Sequence, residues 1–167
     1  GSRIGGADPS RLAFGWLKLF ADGTLGSRTA ALLEPREGTT ERGMLTNPPE
    51  FLRERTAKAA AAGIATTIHT IGDAAVRLAL EVLGPTASSA TFMPRLEHVQ
   101  LCHPDDRARF AALGVAASVQ PIHLREDAPG ARRDWGARAE STGYTWRTLL
   151  EAGATLAFGQ DAPLEPL

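Results

Sequence analysis

Gly63-Ile-Ala-Thr-Thr-Ile-His69-Thr-Ile-Gly-Asp73 is a short apolar run that ends in a histidine and opens onto a helix-forming segment. The same arrangement recurs at Trp16-Leu-Lys18-Leu-Phe-Ala-Asp22, Pro94-Arg-Leu-Glu-His98-Val-Gln100, Val115-Ala-Ala-Ser-Val-Gln120-Pro-Ile-His123 and Ala154-Thr-Leu-Ala-Phe-Gly-Gln-Asp161. Each run closes on a polar, metal-capable or catalytic side chain. In parallel α/β folds such groups collect at the carboxyl ends of the strands. Five such ends predict one shared reactive face.

The segments between the runs read as helices. Residues 50–62 are rich in strong helix formers and stop at Gly63. Residues 73–83 put Ala75, Leu78, Ala79 and Val82 on one face and stop at Gly84-Pro85. Residues 104–113 carry proline and two acids in the first turn and stop at Gly114, and residues 145–152 stop at Gly153. Gly63-Ile64, Gly114-Val115 and Gly153-Ala154 therefore share one junction, the short αβ loop of a repeating β–α unit, and right-handed crossovers make its strands parallel. Residues 23–48 carry no sustained period, residues 124–143 are charged and glycine-rich, and both follow strand ends. Both are expected to overhang the reactive face as loops, the first as a substrate-facing lid. Trp135 and Tyr144 read as isolated aromatics there.

Composition narrows the function classes. With 43% apolar and 22% charged residues the 167-residue chain is a globular domain rather than a disordered one. A net charge of −1, with no basic run interleaved with aromatics, argues against nucleic acid as a partner. Arg53, Arg55, Arg107, Arg109, Arg132 and Arg133 read as solvated faces. No apolar run reaches the roughly 18 residues that span a bilayer, so no membrane is expected and the cytoplasm is the expected compartment. Cys102, the single cysteine, reads as small buried filler.

The chemistry rests on a set of residues. Histidine is a common ligand of zinc and similar divalent ions, and a bound ion gives a hydrolase its nucleophile by acidifying water. His69 and His98 end neighbouring predicted strands, where two imidazoles can converge on one ion; each alone reads more simply as a hydrogen-bonded rim residue. Lys18 shares the strand face of Phe14, Trp16 and Phe20 by the two-residue period. A lysine there can form a salt bridge, snorkel to the strand end, or react with carbon dioxide to give a metal-bridging carbamate. Asp161 reads as a metal ligand and general base or as a turn residue before Ala162-Pro163. Asp22 and Arg28 are candidates for substrate contact or for a loop-bracing ion pair, and His123 is a candidate for substrate contact. His103 reads as a helix-start residue. Strand alternation points Glu97 away from His98, as a packing or supporting partner.

Residues 16–30, 68–75, 95–100 with His103-Pro-Asp-Asp106, 118–123 and Gly159-Gln-Asp-Ala-Pro163 closely resemble the amidohydrolase superfamily, in particular its N-substituted formamide deformylase-like branch. The resemblance runs over nearly the whole chain in the same order. It implies an α/β fold, a partial (β/α)₈ TIM barrel, with Lys18 at strand four, His69 at strand five, His98 at strand six and Asp161 at strand eight. By the same resemblance Lys18 is the carboxylated bridging ligand, His69 and His98 bind the second metal, and Asp161 binds metal and shuttles the proton. The implied cofactor is one or two divalent ions, zinc first. The implied reaction is hydrolysis of a carbon–nitrogen bond in a small-molecule amide by a metal-activated water.

Two departures qualify the match. The family has a His-x-His pair at the end of its first strand, and the four histidines here (His69, His98, His103, His123) include none. Residues 1–167 are therefore expected to be the C-terminal portion of such a barrel, without its first three strands. A barrel so interrupted is expected to be inactive alone and to associate with another copy or with the missing part. Gln160 stands where a serine usually precedes the aspartate. Two rivals predict differently. A non-catalytic α/β binding or regulatory module derived from the same barrel would hold no metal and leave Lys18 unmodified. A complete flavodoxin-like open sheet would use Gly23-Thr-Leu-Gly26-Ser as its phosphate loop, although that stretch leads into a long loop rather than a helix.

Overall fold

Glycines set the repeat. At the end of the third helix Gly114 takes the left-handed conformation (φ 65°), which a side chain disfavours, and so turns the chain straight into the next strand. Gly63 and Gly153 fill the same slot in their own units. The computed structural model describes residues 15–161, so Phe14 and Ala162-Pro163 lie outside the described residues.

The predicted runs form strands β1 (Trp16–Phe20), β2 (Ala65–Thr70), β3 (Arg95–His98), β4 (Ala116–Val119) and β5 (Leu156–Phe158). All neighbouring pairs are parallel, and the sheet order is β1-β2-β3-β4-β5. This order never reverses. A doubly wound sheet needs a reversal to make its ligand crevice, so the flavodoxin-like arrangement is not the one adopted.

Helices α1 (Pro49–Ala61), α2 (Asp73–Leu83), α3 (Pro104–Leu113) and α6 (Trp146–Glu151) match the predicted segments to within one or two residues. They all cover one side of the sheet. Leu19, Ile68, Leu96 and Ala117 from the strands are buried in one cluster with Leu52 of α1, Leu80 of α2, Phe110 of α3 and Leu149 of α6. Each such large apolar side chain removed from water contributes about 1.5–3 kcal/mol, and this fixes which side of each strand faces the helices. The other side is then decided by alternation. Lys18 pairs in register with Thr67, and Glu97 with Ser118, so these polar residues face a cavity of about 670 Å³.

The second long connection differs from its sequence reading. Residues 124–143 are not a loop but α4 (His123–Trp135) and α5 (Arg138–Ser141). Pro129, a residue that removes a helix hydrogen bond, sits inside α4. The helix is held by tertiary packing: Ala131 and Trp135 are buried with Leu25, Leu32, Ile71 and Leu101 in a second cluster. Trp135 and Tyr144 are not isolated aromatics either, since their ring centroids lie 6.1 Å apart. Residues 23–48 do lack helices and strands, apart from one bridge between Asp22 and Leu45. They lie against α4 and α5, where Arg138 donates to the carbonyls of Glu34 and Pro35 and the Glu37 N–H donates to Asp134 O.

His103 caps α3, its Nδ1 accepting from the Asp105 N–H at 3.3 Å. The His103→Ala protein should lose about 1 kcal/mol of unfolding free energy in urea titration; an unchanged midpoint would remove the cap from the account. Cys102 is buried, and that burial pushes its thiol up to about 12. At pH 8 the folded chain should therefore resist iodoacetamide that labels the urea-unfolded chain quickly. Equal labelling rates would contradict the burial. No helix among the described residues is long and apolar enough to cross a membrane.

Candidate metal centre

The site begins with a break in strand alternation. His98 is the register partner of Thr70, whose side chain faces the helices, and alternation alone would send His98 the same way. Instead His98 and Val99 take positive φ (73° and 47°). Positive φ is a real outlier for a β-branched valine, and such strain gathers at functional sites. The turn leaves Val99 in the core and lets His98 line the polar cavity together with Glu97. Glu97 therefore does not point away from His98 as alternation implied.

At this end of the sheet His98 meets two further groups. Ligand atoms of His98, His123 and Asp161 lie within 4.8 Å of one another, and His123 Nε2 is 3.6 Å from Asp161 Oδ2. Asp161 also takes a positive φ, 62°, just beyond β5. Burial, and then the nearby His69 ring, push the His98 imidazole down to about 4, so it is neutral at pH 7 and able to donate a lone pair. Its Nδ1 is buried and has no hydrogen-bond partner among the described residues. A buried nitrogen left unpaired calls for a water or an ion, and two imidazoles with a carboxylate are a donor set that suits a divalent transition metal.

His69 stands beside the trio rather than in it. Its ring packs edge-on against His98, with centroids 4.6 Å apart. Its Nε2 lies 2.9 Å from the Gly23 carbonyl. A carbonyl only accepts, so Nε2 carries the proton and Nδ1 holds the lone pair of the neutral ring. Lys18 is exposed on the cavity side of the sheet, with Nζ 5.2 Å from the centre of the Phe20 ring. Burial lowers its pKa, opposed by the charges of Glu97 and Asp161. Glu97 in turn accepts from Thr67 Oγ1 at 2.7 Å and pairs with Arg95 Nε at 2.6 Å.

Asp22 and Arg28 occupy other positions. The Asp22 carboxylate is buried and accepts from the N–H groups of Ala31, Ile71 and Gly72 at 2.9–3.0 Å. It ties the residue 23–48 connection to the turn after β2. Burial pushes its carboxyl up to about 7, against three N–H donors that favour the charged form. Arg28 reaches Asp134 at 3.6 Å. The ion pair that braces the loop is thus Arg28–Asp134, not Arg28–Asp22.

Among known proteins, the amidohydrolase family profile matches residues 3–167. The chain belongs to the amidohydrolase family. YtcJ of Bacillus subtilis (strain 168) is 33% identical over 155 residues, which cover 92% of this chain and 29% of YtcJ. The Arabidopsis thaliana protein LONG AFTER FAR-RED 3 is 35% identical over 158 residues, covering 92% of this chain and 27% of that protein. An uncharacterized metal-dependent hydrolase from Pyrococcus horikoshii OT3 superposes with a TM-score of 0.81 at 36% identity, over 91% of this chain and 30% of that one. A second, from Pyrococcus furiosus, gives 0.77 at 35% identity over 90% and 31%. The chain spans less than a third of each of these relatives.

In this amidohydrolase chain Lys18, His69, His98 and Asp161 all line one pocket of about 530 Å³, as does His123. Gln100 and Asp127 line the same pocket, and the sequence reading gave neither a role. Asp127 lies four residues after His123, so on a helix the two share a face. That spacing is visible in the sequence only once residues 123–135 are taken as helical.

Proposed function

We infer that this chain supplies strands four to eight of a (β/α)₈ barrel and part of the metal site of a hydrolase acting on a carbon–nitrogen bond in a small amide. The observation that carries this reading is the convergence of ligand atoms of His98, His123 and Asp161 to within 4.8 Å of one another, together with a His98 Nδ1 that is buried and unpaired among the described residues. The uninterrupted strand order, with the core helices on one side and a polar cavity on the other, supports the barrel. The share of the relatives that is covered supports further strands outside these 167 residues.

His98, His123 and Asp161 would hold the ion, with His69 through Nδ1 and Lys18 as the remaining donors that the family resemblance names. Zinc is well suited to imidazole and carboxylate donors. When bound, the ion supplies a Lewis acid and a water of lowered pKa. Asp161 takes a proton from the attacking water at a carboxylate oxygen. The new carbon–oxygen bond forms as the carbon–nitrogen bond breaks, and Asp161 returns the proton to the leaving nitrogen. Lys18, its pKa lowered by burial, keeps a fraction of neutral amine that can take up carbon dioxide as a carbamate. The deformylase-like branch rests on the motif resemblance.

The test uses the full-length protein that carries these residues, assayed on a panel of simple N-substituted amides and formamides. Removal of metal with a chelator should abolish hydrolysis, and zinc should restore it. Turnover that survives complete metal removal would overturn the reading.

A further inference from the structure

The pocket has a second polar end, on α4 rather than on the strands. Gln100 Nε2 donates to Asp127 Oδ2 at 2.8 Å, and the Tyr144 hydroxyl donates to the same oxygen at 3.2 Å. A carboxylate only accepts, so the Gln100 amide must turn its nitrogen toward Asp127. This fixes the other half of the amide. Gln100 Oε1 is buried with no hydrogen-bond partner among the described residues, on a side chain only 5% exposed. Among the described residues no donor to Asp127 Oδ1 is found either. The two residues that carry these acceptor oxygens both line the same pocket, and one of them is a carboxylate.

Neither acceptor belongs to the metal group. Asp127 is one helical turn from His123, so the Cβ atoms of the two are about 5–6 Å apart. Phe20, Leu25 and Ile71 line the same pocket and give it apolar wall. A buried acceptor without a donor is costly, and a cation that brings several N–H donors satisfies both oxygens at once. We propose that Asp127 and Gln100 form a subsite for a primary ammonium group, so that the preferred substrates are amides with an apolar body and an amino group on the side away from the scissile bond. This rests on the hydrolase reading above, but the binding step does not.

The test measures binding to the full-length protein by calorimetry at pH 7, with cyclohexylammonium chloride and cyclohexanol as probes of nearly equal shape. Cyclohexylammonium should bind at least tenfold more tightly, and Asp127→Asn should bring the two within about twofold. Asparagine keeps an acceptor for Gln100 and Tyr144, so the melting temperature and metal content of the variant should hold. Equal affinity for the two probes, no detectable binding of either, or an ammonium preference that survives Asp127→Asn would each overturn the subsite. Metal content of the same samples separates the two claims. Ammonium selectivity without metal leaves the subsite and removes the hydrolase, and metal without selectivity does the reverse.

Discussion

Asp161→Asn, made in the full-length protein, is expected to lower kcat by about 10²–10⁴-fold, the range that a positioned proton-transfer group contributes, with KM changed by only a few-fold. Asparagine keeps the shape of the side chain and one ligating oxygen, but it cannot take a proton from water and pass it to the leaving nitrogen. The expected pattern is a loss in the chemical step, with kcat and kcat/KM falling together. Steady-state kinetics with metal content measured on the same preparation distinguishes this from simple loss of the ion. Unchanged kcat at unchanged metal content would remove Asp161 from the proposed chemistry.

Asp22→Ala should act on folding instead. It would strand three buried N–H donors, those of Ala31, Ile71 and Gly72. Each unmet donor costs about 1–3 kcal/mol, so the summed loss is about 3–9 kcal/mol and a fall in Tm on the order of 10 °C. The pH dependence follows from the direction of its shift. The folded carboxyl lies at about 7, above the ordinary 3.8, so the folded chain holds this proton more tightly than the unfolded chain. Any stability wild type gains over Asp22→Asn from that proton is complete below about pH 4 and is lost as the pH rises through 7. Urea midpoints at pH 4.5 and 7.5 check the sign. A wild-type advantage that grows between these values would show that the backbone donors outweigh burial.

Local signals carried most of the architecture. The stop glycines Gly63, Gly114 and Gly153, the apolar face of α2 and the proline and acids that open α3 are short-range features; they placed the helices within a residue or two, and each strand falls inside its predicted run. The site was less legible. His98 reaches the cavity only because His98 and Val99 adopt positive φ, which neither residue type advertises. α4 was hidden by the charged, glycine-rich composition of residues 124–143 and exists because Trp135 and Ala131 find a buried cluster built from distant residues. With α4 unread, His123 and Asp127 did not fall on one helical face, and Gln100 had no visible partner. The three donors to Asp22 come from backbone that the sequence does not mark, so its place tying the loop to the turn after β2 was not legible there.

The central claim is that these strand ends hold a metal. Crystals of the full-length protein grown with zinc and measured at the zinc absorption edge test it most directly. The account predicts an anomalous peak between His98, His123 and Asp161, about 2.0–2.2 Å from their nitrogen and oxygen donors. No peak there, or a peak held by other residues, would contradict it.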